Sequence, residues 1–352
     1  MVSSPHIARV TRSFVTVTLA LGLAACSSQA ATQAPATQAP ASQAPASQAP
    51  VSQAPASQKS YNIAFIAGQV GIPFYTTMQC GAQDAAKKYG VNLTWQGPSQ
   101  WDLSLQMPMI NAALQRHPDA MALAPTDPVA LVKTVQDAGI PVVTVDGNLS
   151  QPVDIQNIRT DNKAAGGLAA DALGAAIAGT GSVLVLALSP GVSANQDRVD
   201  GFVTEMKAKY PNVTVLPTQY AGTDQRKAAD ITAATIQSKP DLKGIYTTNG
   251  DTAVGASGAV IAASKQGKIK IVAYDANPQQ VRDLKAGIYD GLVVQAPYLE
   301  GYDAVELLVQ VLDKSVDPTT LPDVKYPPMV VATRDNLDTP DVQKYLYVDS
   351  CS

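Results

Sequence analysis

Residues 62–96 read NIAFIAGQVGIPFYTTMQCGAQDAAKKYGVNLTWQ, and this stretch decides the fold. Asn62–Ala67 is a short run of apolar, β-branched and aromatic residues, the pattern of a strand buried on both faces. Pro73-Phe74-Tyr75 opens a helix that runs over 74–89, and Val91–Gln96 is a second strand. Strand, helix and strand in such close succession predict a parallel βαβ unit.

The same alternation continues through the chain. Further strands are expected at 120–124, 142–145, 182–188, 213–219, 244–248, 270–274, 292–295 and 329–333. Helical stretches at 103–117, 129–138, 162–178 and 196–210 separate several of them. Repeated βαβ units give α/β architecture with parallel sheets covered by helices on both faces. The chain after Gln58 is too long for one ordinary doubly wound domain, so two such lobes are expected.

Composition narrows the function. The 352 residues are 46% hydrophobic and 15% charged, with 25 basic against 29 acidic side chains. No basic stripe exists to neutralise phosphates, so a nucleic-acid partner is not expected. The two histidines are His6 and His117. His117 falls at a helix end before the 120–124 strand, opposite the edge where ligands bind, as a surface or capping residue. No histidine-rich metal site and no imidazole base then remain. Neither GxGxxG nor GxxxxGK[ST] occurs, so no nucleotide cradle is present. The expectation is no catalytic residue, no metal and no cofactor.

The first 58 residues read as address and tether. Arg9 and Arg12 precede the short apolar run Ser13–Leu23, the pattern of a signal peptide over 1–25. Leu23-Ala24-Ala25-Cys26 resembles the lipobox of bacterial lipoproteins, which implies cleavage before Cys26 and lipidation of its thiol. Five tandem pentapeptides, ATQAP twice, ASQAP twice and VSQAP, fill 31–55 of a tether spanning 26–58. Proline at every fifth residue favours extended chain, roughly 3 Å per residue, and builds no core. Cleavage also removes two arginines and no acid. An acidic mature protein has little attraction for an anionic bilayer, so membrane association would rest on the lipid.

With Cys26 lipidated, Cys80 and Cys351 remain. Two thiols in an exported protein suggest one disulfide, tying the tail to the first helix; the alternative is a buried free Cys80.

In open α/β sheets ligands bind beyond the carboxyl ends of the strands. The residues found there are Gln69 after the first strand, Asp146 closing VVTVD, Arg198 beyond VLVLALSPG, Asn249 closing IYTTN, Asp275 closing IVAYD and Gln295 closing LVVQ. Carboxylate, guanidinium and amide forks each engage two vicinal hydroxyls, so the set points to one polyhydroxyl ligand. Phe74, Tyr75 and Trp101 offer apolar faces to a sugar ring. Each acid has a bland alternative as a turn former or helix cap. Asp146 and Asp275 could serve as a glycosidase pair, but an arginine among them is expected to keep both ionised.

The run 63–91 together with ALAPTD, PVVTVD, Asp161-Asn162, DRVDGF, GIYTTNGD and IVAYD resembles the ribose- and galactose-binding type of periplasmic sugar-binding protein, over nearly all of 62–336. The resemblance implies two Rossmann-like lobes joined by three crossovers, the type I periplasmic binding protein architecture. The crossings would lie near Thr160–Asp161, Gln295–Pro297 and 323–328, so that 59–160 plus 297–325 form one lobe and 161–296 plus 326–352 the other. It implies a monomeric, extracytoplasmic receptor that delivers a monosaccharide or sugar alcohol to an ABC permease. Its ligand contacts fall on 68–75, Asp146, Arg198, Asn249, Asp275 and Gln295. The chain departs from ribose binders at Gly68, Ile72, Gly147 and near Thr223, and Gly250 lengthens the segment after Asn249; the sugar is therefore left open. A sensor that signals to a chemoreceptor or kinase, or a sugar-processing enzyme, are the competing classes.

Overall fold

The computed structural model describes residues 60–190 and 192–351, so the leader, Cys26 and the repeats lie outside the described residues. Two sheets form. The first contains β1 (Asn62–Ile66), β2 (Asn92–Gln96), β3 (Ala120–Leu123), β4 (Val142–Val145), β5 (Asn157–Ile158) and β12 (Val324–Lys325), ordered β12-β5-β4-β3-β1-β2 with every pair parallel. The second contains β6 (Gly181–Ala187), β7 (Val213–Val215), β8 (Gln219–Tyr220), β9 (Leu242–Thr247), β10 (Lys270–Tyr274), β11 (Gly291–Val294) and β13 (Val330–Ala332). Its order is β13-β11-β10-β9-β6-β7 with β8 also beside β6, and β13 runs antiparallel to β11.

Helices cover both faces of each sheet. They are α1 (Pro73–Tyr89), α2 (Leu103–Leu114), α3 (Val132–Gln136), α4 (Asn162–Ala176), α5 (Ser193–Lys209), α6 (Gln225–Ser238), α7 (Gly250–Ala262), α8 (Pro278–Lys285), α9 (Pro297–Leu312) and α10 (Pro340–Gln343). Strands β3, β4 and β11 are buried along their whole length, which is why they read as unbroken apolar runs. One face of the first sheet packs Phe65, Met78, Val143 and Leu308, the other Ile66, Ile110, Leu123 and Leu131. The second sheet does the same with Leu186, Ile245 and Leu292 on one side and Val185, Phe202 and Tyr246 on the other.

Two helix pairs approach closely through glycine. A Cβ on Gly81 would lie 1.9 Å from the Tyr298 carbonyl oxygen and one on Gly301 2.0 Å from that of Met78, so α1 and α9 pack backbone to backbone. Gly166 and Gly201 do the same for α4 and α5, at 2.2 Å from Arg198 O and 1.9 Å from Lys163 O.

The chain passes between the sheets after β5, after β11 and between β12 and β13. The tail after α10 then bridges back. The Tyr347 N–H donates to Ala276 O at 3.2 Å, the Val348 N–H to Thr77 Oγ1 on α1 at 2.8 Å, and Cys351 is disulfide-bonded to Cys80, also on α1. A free Cys80 is thereby ruled out. The last residues of the tail are therefore attached to the helix of the first sheet.

Several expected boundaries move for local reasons. The strand expected over 213–219 breaks at Pro217, which has no N–H for the ladder. The helix expected over 129–138 shrinks because Asp127 Oδ1 takes the N–H groups of Val129 and Ala130 into a turn. The helix over 103–117 stops at Leu114, and the exposed His117 adopts a left-handed φ of 51°. Among the described residues no helix is long and apolar enough to cross a membrane, and no cluster of three or more His, Cys, Asp or Glu is placed to hold a metal ion.

Candidate functional site

β4 and β10 each end in an aspartate with left-handed backbone, Asp146 at φ 58° and Asp275 at φ 76°. Aspartate tolerates this region better than most residues, yet it still costs on the order of 1 kcal/mol and persists where the surroundings over-determine it. Equivalent strand ends in the two sheets thus carry an acid in the same backbone conformation, each N–H still bonded to the next strand, Asp146 to Ile158 O at 3.0 Å and Asp275 to Val293 O at 2.9 Å.

Around Asp146 the first sheet supplies the aromatic wall. The Tyr75 hydroxyl donates to Asp146 Oδ2, and Tyr75 is buried at the start of α1. Trp101 stacks near it with ring centroids 6.5 Å apart and stays 45% exposed at the rim. Phe74 meets Tyr75 edge-on at 5.1 Å and Tyr347 edge-on at 5.8 Å. Gln69 turns aside: its Nε2 donates to Ser99 O at 3.3 Å, and it bonds to no other predicted site residue.

The second sheet contributes the polar forks. Arg198 is buried on α5, where Nε donates to Asn162 Oδ1 and Nη1 to Thr248 O, both at 2.8 Å, and its guanidinium lies 3.6 Å from the Tyr274 ring centroid. Asn249 caps α7, Oδ1 accepting from the Thr252 N–H at 2.9 Å, while its buried Nδ2 has no partner. The capping alternative therefore accounts for its oxygen and leaves its donor unused. Gln295 Nε2 donates to Asp275 Oδ1 at 2.8 Å, and the Tyr347 hydroxyl donates to the same oxygen at 3.1 Å.

Charge links the two halves. Burial pushes the carboxyls of both Asp146 and Asp275 above the usual carboxylate range, and Arg198 opposes this for each. Desolvation is the larger cause, so the net direction is upward for each acid despite the arginine, whose Nε and Nη1 are engaged by Asn162 and Thr248. The Asp275 charge, from the other sheet, adds to the rise at Asp146.

Three further residues stand at this place: Thr160 and Asn162, read from the sequence only as a crossing and a motif position, and Glu300, which was not read at all. Thr160, at the first crossing, has its Oγ1 2.8 Å from Gln295 Oε1 and 3.1 Å from Glu300 Oε1. Glu300 is fully buried in the first turn of α9, its Oε2 without a partner. Asn162 orients Arg198 and also accepts from the Tyr274 hydroxyl at 3.1 Å. The available signal was proximity in sequence to the crossings and to the strand ends.

A model of the periplasmic binding protein domain matches residues 63–315. The chain belongs to the periplasmic binding protein family. It is 30% identical over 256 residues to the D-allose-binding periplasmic protein of Escherichia coli, covering 67% of this chain and 80% of that one. It is 31% identical over 242 residues to a ribose import binding protein of Haemophilus influenzae, covering 68% and 81%. Among solved structures, an ABC transporter solute binding protein from Agrobacterium vitis bound with α-D-tagatopyranose superposes with a TM-score of 0.75 at 33% identity, covering 82% of this chain and all of that one. A carbohydrate transporter solute binding protein from Agrobacterium radiobacter in complex with D-arabinose gives 0.74 at 27% identity. The architecture is the type I fold of this family, and the role that goes with it is that of an ABC-importer solute receptor.

Two of the glycines singled out in the sequence, Gly68 and Gly147, stand where a side chain has no room. A Cβ on Gly68 would lie 2.2 Å from Trp101 Cζ3, so the indole fills the space a side chain would need. A Cβ on Gly147 would lie 2.6 Å from Pro125 O, so no longer side chain fits after Asp146.

Proposed function

We propose that this protein encloses one monosaccharide or sugar alcohol between its two lobes and hands it, unchanged, to an ABC permease. The lobes are taken as 59–160 with 297–325 and 161–296 with 326–352, hinged where the chain crosses between the sheets. The observation that carries this reading is the placement of Asp146 and Asp275, on opposite sheets, around one buried guanidinium, that of Arg198. Carboxylates accept from sugar hydroxyls while Arg198 and the unused Asn249 amide donate to them, and Phe74, Tyr75 and Trp101 cover ring C–H groups. A ligand touching both lobes favours the closed form, which the permease then recognises. The lipid on Cys26 and the proline repeats would hold the receptor on the extracytoplasmic face of the membrane.

A thermal-shift panel of D-allose, D-ribose, D-arabinose, D-fucose, D-tagatose and the corresponding polyols tests the reading, because a ligand of the native state raises the melting point by mass action. At least one sugar is expected to shift it. Asp275→Asn keeps the size of the side chain and its tolerance of left-handed backbone, but removes the charge. It is expected to weaken binding about 10–100-fold, the worth of a charged hydrogen bond, with the unliganded melting point nearly unchanged. No shift with any sugar, or full affinity in Asp275→Asn, overturns the assignment.

A further inference from the structure

We propose that Tyr347 is a positioning residue of the ligand cleft, holding the Asp275 carboxylate for its ligand, and that the Cys80–Cys351 bond keeps the tail that carries it in place. The ligand part of the proposal rests on the sugar-receptor reading above; the positioning part does not.

Tyr347 lies in a tail with no regular secondary structure, yet it is only 4% exposed. A buried tyrosine needs a partner for its hydroxyl, and the partner is Asp275 Oδ1. Gln295 donates to that same oxygen, and no hydrogen bond reaches Oδ2 among the described residues. Two donors on one oxygen fix the carboxylate plane and leave the other oxygen to accept from a ligand hydroxyl. The ring edge meets Phe74 on α1, so Tyr347 touches the aromatic wall of the first lobe and the acid of the second at once.

Tyr347 itself is packed in the core of the second sheet, but beyond it the tail is held weakly apart from the disulfide. Among the described residues beyond Tyr347, one backbone N–H is bonded, that of Val348 to the Thr77 hydroxyl, and Val348 is 38% exposed. Chain ends of this kind fray unless tied down. The bond to Cys80 does the tying, four residues past Tyr347 and on the helix that carries Phe74.

The groups facing Asp275 are Arg198 from α5, Tyr274 from β10, Tyr246 from β9, Asp251 from α7, Asp146 from the other sheet, Gln295 and Tyr347. Burial raises the Asp275 carboxyl, and the bonds from Gln295 and Tyr347 work against that rise, as does Arg198. Without the tyrosine hydroxyl the carboxyl therefore titrates at higher pH. Binding that needs the ionised acid is then lost earlier as pH falls.

The test follows Asp275 directly. With carbon-13-labelled aspartate, the Asp275 carboxyl is titrated by NMR in the unliganded protein and assigned through Asp275→Asn. Tyr347→Phe keeps the ring and is expected to move the titration upward while leaving the melting point close to wild type; Cys80→Ser/Cys351→Ser is expected to move it in the same direction by less. In parallel, affinity for an equimolar mixture of D-allose, D-ribose, D-arabinose, D-fucose and D-tagatose is expected to fall about tenfold in Tyr347→Phe, with the deficit growing toward acid pH. An unchanged titration in Tyr347→Phe overturns the positioning role, and an unchanged titration in the double serine variant overturns the part given to the disulfide. A shifted titration with unaltered affinity overturns the link to the ligand. Absence of sugar binding to the wild type, with the titration still shifted, sinks the receptor reading and leaves Tyr347 as the residue that holds Asp275.

Discussion

At position 68 a side chain would collide with two neighbours of unequal freedom. Trp101 is half-exposed and able to swing outward, but the Tyr75 hydroxyl, 2.4 Å from the same Cβ position, is bonded to Asp146. Gly68→Ala is therefore expected to destabilise the protein by about 1–3 kcal/mol, the usual cost of overpacking, and to weaken sugar binding by displacing Tyr75 from the acid. Adding Trp101→Ala is expected to recover only part of the loss, since Tyr75 still blocks the site. Denaturant unfolding of the single and double variants measures this, and full recovery in the double variant would show that Trp101 alone occupies the space. The reason glycine stands here was not legible in the sequence, because Gly68 and Trp101 lie on loops after different strands and their contact exists only once β1 and β2 pair.

On α9, two elementary effects compete at Glu300. An acid in the first turn of a helix is ordinarily favoured in its charged form by the macrodipole. Here complete burial wins, and with the Asp146 charge it pushes the Glu300 carboxyl well above the usual range. The donor count points the same way: the Thr160 hydroxyl has one proton and two acceptor neighbours, Gln295 Oε1 and Glu300 Oε1, so a proton on Glu300 would supply the missing donor, while Gln295 Nε2 donates to Asp275. Because the folded carboxyl holds its proton more tightly than the unfolded one, this stabilisation is present at low pH and is lost as pH rises through the folded pKa. Urea unfolding between about pH 5 and 9 is expected to show stability falling with pH, and Glu300→Gln to remove the Glu300 part of that slope while those of Asp146 and Asp275 persist. An unaltered slope in Glu300→Gln would mean that the acid is ionised in the fold. The element-level reading was most secure where a period could be counted: long helices and apolar strands were visible, whereas β5, β8 and β12, two residues each, carry no period at all. Strand ends in an α/β sheet point to a site by rule, which is why Asp146 and Asp275 stood out. Glu300 looked like any acid on an amphipathic helix, and Tyr347 sits in an aperiodic polar tail whose one clue was Cys351.

For the whole molecule, on the receptor reading proposed above, the two acids act on a ligand from opposite sides of a hinge, and that arrangement predicts a thermodynamic signature. If closure is a population shift, a ligand must contact both lobes to hold the closed form, and removing either acid forfeits the shared gain of closing as well as its own hydrogen bonds. Asp146→Asn and Asp275→Asn are each expected to lower affinity by at least about tenfold. Combined, they are expected to cost less than the sum of the two, because closure is already lost in either single variant. Calorimetric titration of the four proteins measures the cycle, and small-angle scattering supplies the structural half: ligand shrinks the radius of gyration of the wild type and not of the double variant. Costs that add fully would instead describe a cleft already closed before the ligand arrives, with each acid contributing alone and no conformational signal for a permease to recognise.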